Sequence, residues 1–284
     1  MKLKGKVALV TGASRGIGRG IAEVLAEEGA DVAVNYVASA GPAEEVAELV
    51  RSKGRRAITV KGDVASRQDV ETMVDKVWQE LGLLDVLVNN AGIETIVPFL
   101  ELSDEQWTRL TDVNLRGEWL CSQVFCKRLV EKQKPGVIVN IGSVQAGKVL
   151  PGRTHYAPTK LGLEALTRNM SAEITPLGIR VNCVHPGLID TDMTPWVMNR
   201  PDLLPGILGQ ISLGTRRCAT RDRDGGRVLR FGRGELSHGA IHSRRRWLGR
   251  EIVRRRECPG SSSISACRCT TTWSPSHGWF GQRW

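Results

Sequence analysis

The sequence predicts an α/β fold: a doubly wound parallel sheet in a single domain over residues 1–213, followed by an irregular C-terminal tail. Three observations support this fold class. Short apolar runs alternate with amphipathic stretches, which is typical of repeated βαβ units. The runs are rich in Val, Ile and Ala with little polar alternation, as expected of strands that helices cover on both faces. The chain of 284 residues is also long enough for one sizeable core without disulfides.

The apolar runs predict six strands, and a stretch with helical periodicity follows each of the first five. Strands are expected at 7–11, 31–35, 57–61, 85–89, 137–142 and 179–184, and helices near 16–29, 42–53, 67–81, 104–131 and 154–177. After residue 213 the alternation ends. The tail, 214–284, holds 16 arginines, no lysine and five acidic residues. It lacks a sustained strand or helix period, so we expect it to be disordered or poorly packed.

The distribution of charge and cysteine excludes several classes of protein. The formal net charge is +10, but residues 1–213 carry 24 basic and 25 acidic side chains, so the excess lies in the tail. Its arginine clusters have no recognition motif beside them, which ranks nucleic-acid binding low. The seven cysteines lack the spacing of a zinc site, and we expect no metal. No stretch resembles a signal peptide or a membrane span, so a cytoplasmic protein without a membrane partner is expected.

A glycine-rich turn directly follows the first predicted strand and begins the first helix. It reads Thr-Gly-Ala-Ser-Arg-Gly-Ile-Gly over residues 11–18. Glycines at such a turn let the backbone pass close to a pyrophosphate, and the helix N-terminus favours negative charge. A glycine-rich turn alone is weak evidence. Between a strand and a helix, however, it predicts a dinucleotide site of the Rossmann type.

The cofactor expected at this site is NADP(H). Enzymes of this fold that bind NAD(H) carry Asp or Glu at the end of the second strand, whereas this chain has Asn35. Arg15 adds a fork-shaped cation that suits a 2′-phosphate. A solvated surface arginine would look the same in sequence, so the use of NAD(H) stays open.

Tyr156 and Lys160 lie four residues apart at the start of a predicted helix, so their side chains project from one face. A free phenol titrates at about 10, and a nearby ammonium can bring its pKa toward neutral pH. Ser143 ends the fifth strand, where its hydroxyl can hold a substrate oxygen. A Tyr-x-x-x-Lys pair arises by chance in many helices. Its position after the glycine-rich turn, the Asn-Asn-Ala-Gly segment at 89–92 and Ser143 makes it a candidate catalytic pair.

Together these motifs resemble the classical short-chain dehydrogenase/reductase family, in particular its bacterial glucose 1-dehydrogenases and 3-oxoacyl-carrier-protein reductases. The similarity covers residues 1–213. It implies hydride transfer between the nicotinamide and a secondary alcohol or carbonyl group, with Tyr156 as the acid/base. It also implies that Asn114, Ser143 and Lys160 complete the catalytic set, and that the protein forms a homotetramer.

The same resemblance implies a cofactor site assembled from the ends of several strands. Asp63 is expected to contact the adenine, and Ile189 and Thr191 to receive the nicotinamide carboxamide. The expected cofactor contacts are Gly12, Ser14, Arg15, Gly16, Ile17, Gly18, Asn35, Asp63, Val64, Asn90, Ala91, Gly92, Tyr156, Lys160, Pro186, Gly187, Ile189 and Thr191.

The substrate is less well defined by the sequence. Glu94 and His155 resemble the glucose dehydrogenase pattern and favour a sugar or polyol. Trp196 lies in the segment 188–212, which could close over the site as an apolar lid. Reduction of 3-oxoacyl thioesters or of other ketones uses the same catalytic set and is an alternative. An NADP-binding regulatory module without catalysis is the alternative of another class.

The resemblance ends near residue 214, where the family has a further helix and a last strand ending in Val-Asp-Gly-Gly. A permissible back-translation of residues 229–250, read one nucleotide later, restores an ending with Ile-His-Val-Asp-Gly-Gly. A shift of reading frame near residue 215 is therefore one hypothesis for the arginine-rich tail.

Overall fold

The structure, a computed structural model, describes residues 1–148, 150–199, 201–202 and 204–209, with the two-residue strands 217–218 and 241–242. All of these residues belong to one unit, Met1–Trp247. The expected tail, 214–284, lies outside the described residues except for those two strands, and so does the proposed shift of reading frame.

Strands and helices alternate as the apolar periodicity predicts. The strands are β1 (Val7–Val10), β2 (Asp31–Tyr36), β3 (Ala57–Lys61), β4 (Leu84–Asn89), β5 (Gly136–Ile141), β6 (Ile179–Val184), β7 (Ile189–Asp190), β8 (Arg217–Cys218) and β9 (Ile241–His242). The helices are α1 (Gly16–Glu27), α2 (Ala40–Ser52), α3 (Arg67–Glu80), α4 (Asp104–Thr111), α5 (Gly117–Glu131), α6 (Tyr156–Ile174), α7 (Pro195–Met198) and α8 (Leu204–Gly209). Within the described ranges, no helix combines the length and apolar character needed to cross a membrane.

The main sheet is parallel, with strand order β3-β2-β1-β4-β5-β6-β9. The chain winds outward from β1 to β3 and then crosses to β4 on the other side of β1. In an open sheet of this kind, the reversal leaves a crevice at the carboxyl ends of the central strands, where ligands bind. The predicted doubly wound parallel sheet is thereby confirmed.

Each face of the sheet buries its own apolar core. One core packs α3 and α5 on the sheet and includes Met73, Phe125 and Leu129. The other packs α1 and α2 through smaller side chains, including many alanines and valines around Leu25. Covering both faces explains why the strands read as continuous apolar runs.

The single helix predicted for 104–131 is interrupted. α4 ends at Thr111, a π-helical turn covers Asp112–Arg116, and α5 begins at Gly117. A Cβ on Gly117 would lie 2.8 Å from a methyl carbon of Val64, so the chain passes too close to β3's loop for any side chain. π-Helical turns often accompany functional sites, and this one carries Asn114.

Candidate active site

The glycine-rich turn joins β1 to α1 in a conformation that depends on its glycines. Gly12 and Gly16 have φ of +59° and +55°, a region that other residues rarely adopt. A Cβ on Gly18 would lie 2.5 Å from the Gly12 carbonyl oxygen. α1 begins at Gly16 without a side-chain cap and without an acidic residue in its first turn. This end of α1 therefore fits a pyrophosphate, whose charge the free N–H groups would bind.

The segment after β4 supports this turn through hydrogen bonds. Asn90 Nδ2 donates to the carbonyl oxygens of Thr11 and Gly12 at 2.9 and 3.1 Å. The Thr11 hydroxyl accepts from the N–H groups of Asn90 and Ala91, both at 2.9 Å. Thr11, which the sequence analysis did not select, thus connects two parts of the predicted cofactor site. Gly92 lies beside Asn114: a Cβ on Gly92 would be 3.4 Å from Asn114 Oδ1.

Asn35, the penultimate residue of β2, directs its amide into the protein. Its Oδ1 accepts from the N–H of Gly12 at 3.0 Å, and its Nδ2 donates to the carbonyl oxygens of Val60 and Gly62 at 3.2 and 3.0 Å. The residue is only 1% exposed. Asn35 therefore holds the glycine-rich turn in place and leaves the end of β2 without a negative charge.

Arg15 is accessible, whereas Asp63 already has partners. Arg15 and Asp192 form a 3.7 Å ion pair with side chains 68% and 70% exposed. Such exposed pairs contribute at most about 1 kcal/mol, so a phosphate could replace the carboxylate. Asp63 Oδ2 accepts from Arg109 at 2.9 Å, and its Oδ1 accepts from the N–H of Ala65 at 3.0 Å.

The remaining predicted cofactor residues lie on the segments that follow β1, β3 and β6. Ser14 and Ile17 are partly buried within the turn, and Val64 is buried after β3. Thr191 follows β7 and lies beside the turn, with its methyl carbon 3.5 Å from a Cβ placed on Gly16. The Pro186 carbonyl accepts from the N–H of Val144 at 3.1 Å. Ile189 is buried in β7, and Gly187 has open space around it.

Tyr156, Lys160 and Ser143 come together beside this crevice. Tyr156 is the first residue of α6, and Lys160 lies one turn later. Lys160 Nζ donates to the Ile141 carbonyl at 2.9 Å and pairs with Glu118 Oε1 at 3.2 Å. Ser143, two residues after Ile141, lies close enough to the Tyr156 phenol to lower its pKa. The structure thus brings the predicted proton-transfer pair and the serine into one site.

Burial is the largest influence on the Tyr156 phenol, and it raises the pKa above its ordinary value. Lys160 and Ser143 lower the pKa, while Glu94 and Glu118 raise it. The predicted effect of Lys160 therefore has the expected direction, but burial outweighs it in the protein alone because removal from water disfavours the phenolate.

Asn114 lies fully buried in the π-helical turn. Its Oδ1 accepts from the N–H of Ile93 at 2.8 Å, and its Nδ2 donates to the Ile93 carbonyl at 2.8 Å. The turn packs on α6, since a Cβ on Gly162 would lie 3.2 Å from Leu115. Asn114 thus connects the loop after β4 to the helix that carries Tyr156.

A buried ion pair lies next to the catalytic candidates. Arg153 Nε donates to Glu94 Oε1, and the two side chains are 2% and 7% exposed. Gln145 Nε2 also donates to Glu94 Oε1, at 3.3 Å. The guanidinium of Arg153 lies 4.4 Å from the centre of the Trp196 ring. Trp196 thus covers the ion pair by a cation–π contact.

His155 belongs to the same polar cluster and is fully buried. Its Nε2 lies 2.6 Å from the Thr95 hydroxyl. Burial and the charge of Arg153 lower the pKa of His155, so the ring is neutral at neutral pH. Within the described residues, four buried polar atoms of this cluster lack a hydrogen-bond partner: Gln145 Oε1, Arg153 Nη2, His155 Nδ1 and Trp196 Nε1.

Sequence reasoning missed Arg153 and Glu118, two buried charged residues that pair with predicted site residues. Arg153 is three residues before Tyr156, and Glu118 is four residues after Asn114. The available signal was a carboxylate on an otherwise apolar stretch of a predicted helix. Charged residues are seldom fully buried without a partner, but the sequence does not show that position 118 is buried.

Metal chemistry has no visible basis in the part of the chain that the structure describes. No group of three or more His, Cys, Asp or Glu is arranged there to hold an ion. Cys121, Cys126 and Cys183 are free thiols, and burial raises the pKa of each of them.

A dinucleotide crevice with a buried phenol and ammonium at its mouth defines an oxidoreductase of the nicotinamide-dependent class. Residues 6–200 match the family model described as short chain dehydrogenase. The chain therefore belongs to the short-chain dehydrogenase family.

Relatives found by sequence and by structure are also oxidoreductases or members of this family. The chain is 43% identical over 189 residues to the 3-oxoacyl-(acyl-carrier-protein) reductase FabG of Staphylococcus aureus strain Mu50, which covers 66% of this chain and 76% of that protein. A short chain dehydrogenase of Burkholderia cenocepacia J2315 in complex with NADP superposes with TM-score 0.71 at 37% identity, over 77% of this chain and 87% of that one. A short-chain dehydrogenase/reductase of Serratia marcescens BCRC 10948 gives TM-score 0.71 at 36% identity, with coverage of 77% and 87%.

Proposed function

We propose that this protein interconverts a secondary alcohol and a carbonyl compound with NADP(H), and that Tyr156 transfers the proton. The observation that carries the proposal is the junction of β5 and α6. There the Tyr156 phenol lies within the field of Lys160 and close to Ser143, which follows β5 at the same carboxyl edge of the sheet at which the glycine-rich turn follows β1. A phenol in this setting can donate a proton to a carbonyl oxygen or remove one from an alcohol.

Each residue of the set has a distinct part in the proposed reaction. The Ser143 hydroxyl orients the substrate oxygen toward Tyr156. Lys160 stabilises the phenolate through its charge, and Asn114 holds the loop after β4 against α6. When bound, NADP(H) supplies the hydride donor or acceptor. The glycine-rich turn and the residues beside it, already described, are the proposed cofactor contacts.

Three observations support NADP(H) over NAD(H). Asn35 leaves the end of β2 uncharged, Arg15 is 68% exposed near the turn, and the Burkholderia relative is described in complex with NADP. The proposed role of Arg15 is to bind the 2′-phosphate in place of Asp192.

Replacing Arg15 by Leu is expected to weaken NADPH binding by roughly 10- to 100-fold, because a hydrogen bond to a charged group contributes about 1.5–3 kcal/mol. NADH affinity should change little, since NADH has no 2′-phosphate. Fluorescence titration of both cofactors measures the ratio. Arg168→Leu removes another exposed arginine, on α6, and serves as the control. Equal weakening for both cofactors would contradict the role of Arg15.

The proposed substrate is a sugar or polyol. Its hydroxyl groups can both donate and accept hydrogen bonds, which matches the unpartnered Gln145 oxygen and the Arg153 and Trp196 N–H groups. Glu94, His155 and Trp196 are accordingly proposed as substrate-site residues. A 3-oxoacyl thioester is the second candidate, because the Staphylococcus relative is named as a reductase of that substrate class.

A cofactor assay separates these substrates. The purified protein is supplied with NADP or NAD and a series of sugars, polyols and simple secondary alcohols, and with NADPH and an acetoacetyl thioester in the reverse direction. Turnover with sugars or polyols at rates above the simple alcohols supports the first candidate. Turnover only with the thioester supports the second. Cofactor binding without turnover of any of them favours a regulatory module.

A homo-oligomer is also proposed, and a groove on the outer face of α5 and α6 supports it. The groove is lined partly by Leu115, Trp119 and Leu166. Trp119 and Leu161 are 38% and 54% exposed. Exposed apolar surface of this kind favours association.

A further inference from the structure

Glu118 is buried in α5 against the lysine of the proposed proton-transfer pair. Its side chain is 2% exposed and that of Lys160 is 5% exposed, with 3.2 Å between Oε1 and Nζ. Within the described residues, the second carboxylate oxygen, Oε2, has no hydrogen-bond partner. A carboxylate that is fully buried and only half satisfied is energetically unfavourable unless it acts on a neighbouring charge.

The carboxyl group is also able to change its charge near neutral pH. Burial raises the pKa of Glu118 to about 7, against the opposing attraction of Lys160. Burial alone would lower the pKa of Lys160, but the charges of Glu118 and Tyr156 outweigh it and raise the pKa. Lys160 is therefore an ammonium whenever Glu118 is ionised.

We propose that Glu118 is a positioning residue for proton transfer: its carboxylate holds the Lys160 ammonium and offsets part of the positive charge that reaches Tyr156. The proposal rests on the functions proposed above for Tyr156 and Lys160. Ionised Glu118 offsets the ammonium and disfavours the phenolate. A neutral side chain at this position leaves the ammonium uncompensated and favours the phenolate.

Other titratable groups around the carboxyl do not change charge in the same pH range. α6 presents Lys160 and Tyr156, β6 presents Cys183, and α5 itself presents Cys121. Burial raises the pKa of Cys183 to about 12 and also raises that of Cys121, so both thiols are neutral near pH 7.

The strands and α3 add no free charge next to Glu118 among the described contacts. β4 presents the neutral Asn89, which donates to the Glu118 carbonyl at 3.4 Å. From α3, Arg67 bonds Gln123 and Asp75 bonds Arg128, both on the outer part of α5. Lys160 and Tyr156 are therefore the groups through which Glu118 acts.

The test measures the ionisation of Tyr156 directly, without substrate or cofactor. The chain has two tyrosines, so Tyr36→Phe leaves Tyr156 as the sole source of tyrosinate absorbance in an alkaline titration. Adding Glu118→Gln to this parent is expected to lower the Tyr156 midpoint by roughly one pH unit, a tenfold gain in phenolate at a given pH. Glu118→Asp, which keeps the charge, should remain closer to the parent.

Two further variants make the result specific. Glu164→Gln removes a partly buried carboxylate one turn beyond Lys160, paired with Arg168, and should leave the midpoint unchanged. Glu118→Met tests the same loss of charge if the Gln variant does not fold. Suppose that the parent protein unfolds at a lower pH than that at which Tyr156 ionises. In that case, ionisation of Tyr156 before unfolding in the Glu118→Gln variant shows the expected shift, and unfolding before ionisation counts against the proposal.

An unchanged or higher midpoint in Glu118→Gln and Glu118→Met, or an equal shift in Glu164→Gln, overturns the proposal and leaves the proposed function intact. If the midpoint falls but the wild-type protein turns over none of the substrates, the first result supports the electrostatic role of Glu118. The second result contradicts the proposed function.

Discussion

Replacing Tyr156 by Phe is expected to lower the turnover number by at least about 10²- to 10⁴-fold, the range that general acid–base catalysis contributes. Phe keeps the ring that packs at the start of α6 but has no proton to give or take. Lys160 and Ser143 remain in the site of the variant. Each lies beside the phenol and not in its place, so neither can take over its proton transfer. Initial-rate kinetics with NADP and the best substrate of the cofactor assay measure the loss.

The affinity for NADPH provides the control for this variant. The glycine-rich turn, the N-terminus of α1 and Thr191 do not depend on the phenol hydroxyl, so the dissociation constant should stay within a few-fold of the wild type. Full activity in Tyr156→Phe would exclude Tyr156 as the acid/base. Loss of both turnover and NADPH binding would instead indicate a structural defect.

Replacing Arg153 by Met is expected to lower the free energy of unfolding by about 3–5 kcal/mol, because it leaves a buried carboxylate without its partner. Arg153 and Glu94 are 2% and 7% exposed, so water cannot solvate the remaining charge. The contact with Trp196 is lost as well. Denaturant-induced unfolding, followed by tryptophan fluorescence, measures the change.

The double variant Arg153→Met with Glu94→Gln tests the reason for this loss. Removing both charges should restore much of the stability, since the penalty comes from the unpaired carboxylate. Arg168→Met is the matched control, because Arg168 is 58% exposed and pairs with Glu164 on the surface of α6. Its cost should be below about 1 kcal/mol. A similar small cost for Arg153→Met would show that the buried pair does not stabilise the fold.

Much of the fold could be predicted because it depends on local periodicity. Strands covered on both faces read as apolar runs, and the glycine-rich turn needs its glycines for φ values that other residues rarely adopt. The interruption of 104–131 was not predicted. α4 and α5 read as one helix, and the close approach of Gly117 to Val64 at the end of the π-helical turn joins residues distant in sequence.

Some features of the candidate site could also be predicted from local sequence, and others could not. Tyr156 and Lys160 are one helical turn apart, so a local pattern was enough to place them together. Asn35 was selected for the charge it lacks, but its amide proved to bond Gly12, Val60 and Gly62. Those partners lie on other segments, and no local pattern reports them.

The amino-acid sequence by itself determined the doubly wound sheet, the glycine-rich turn and the spacing of the tyrosine and lysine, because each depends on residues within one or two turns of a helix or one strand. Only the tertiary structure decided which charges are buried. The pairs Glu118–Lys160 and Glu94–Arg153 join positions 42 and 59 residues apart. Whether a carboxyl group is solvated or desolvated depends on what packs around it, and that packing sets both its pKa and its effect on the phenol.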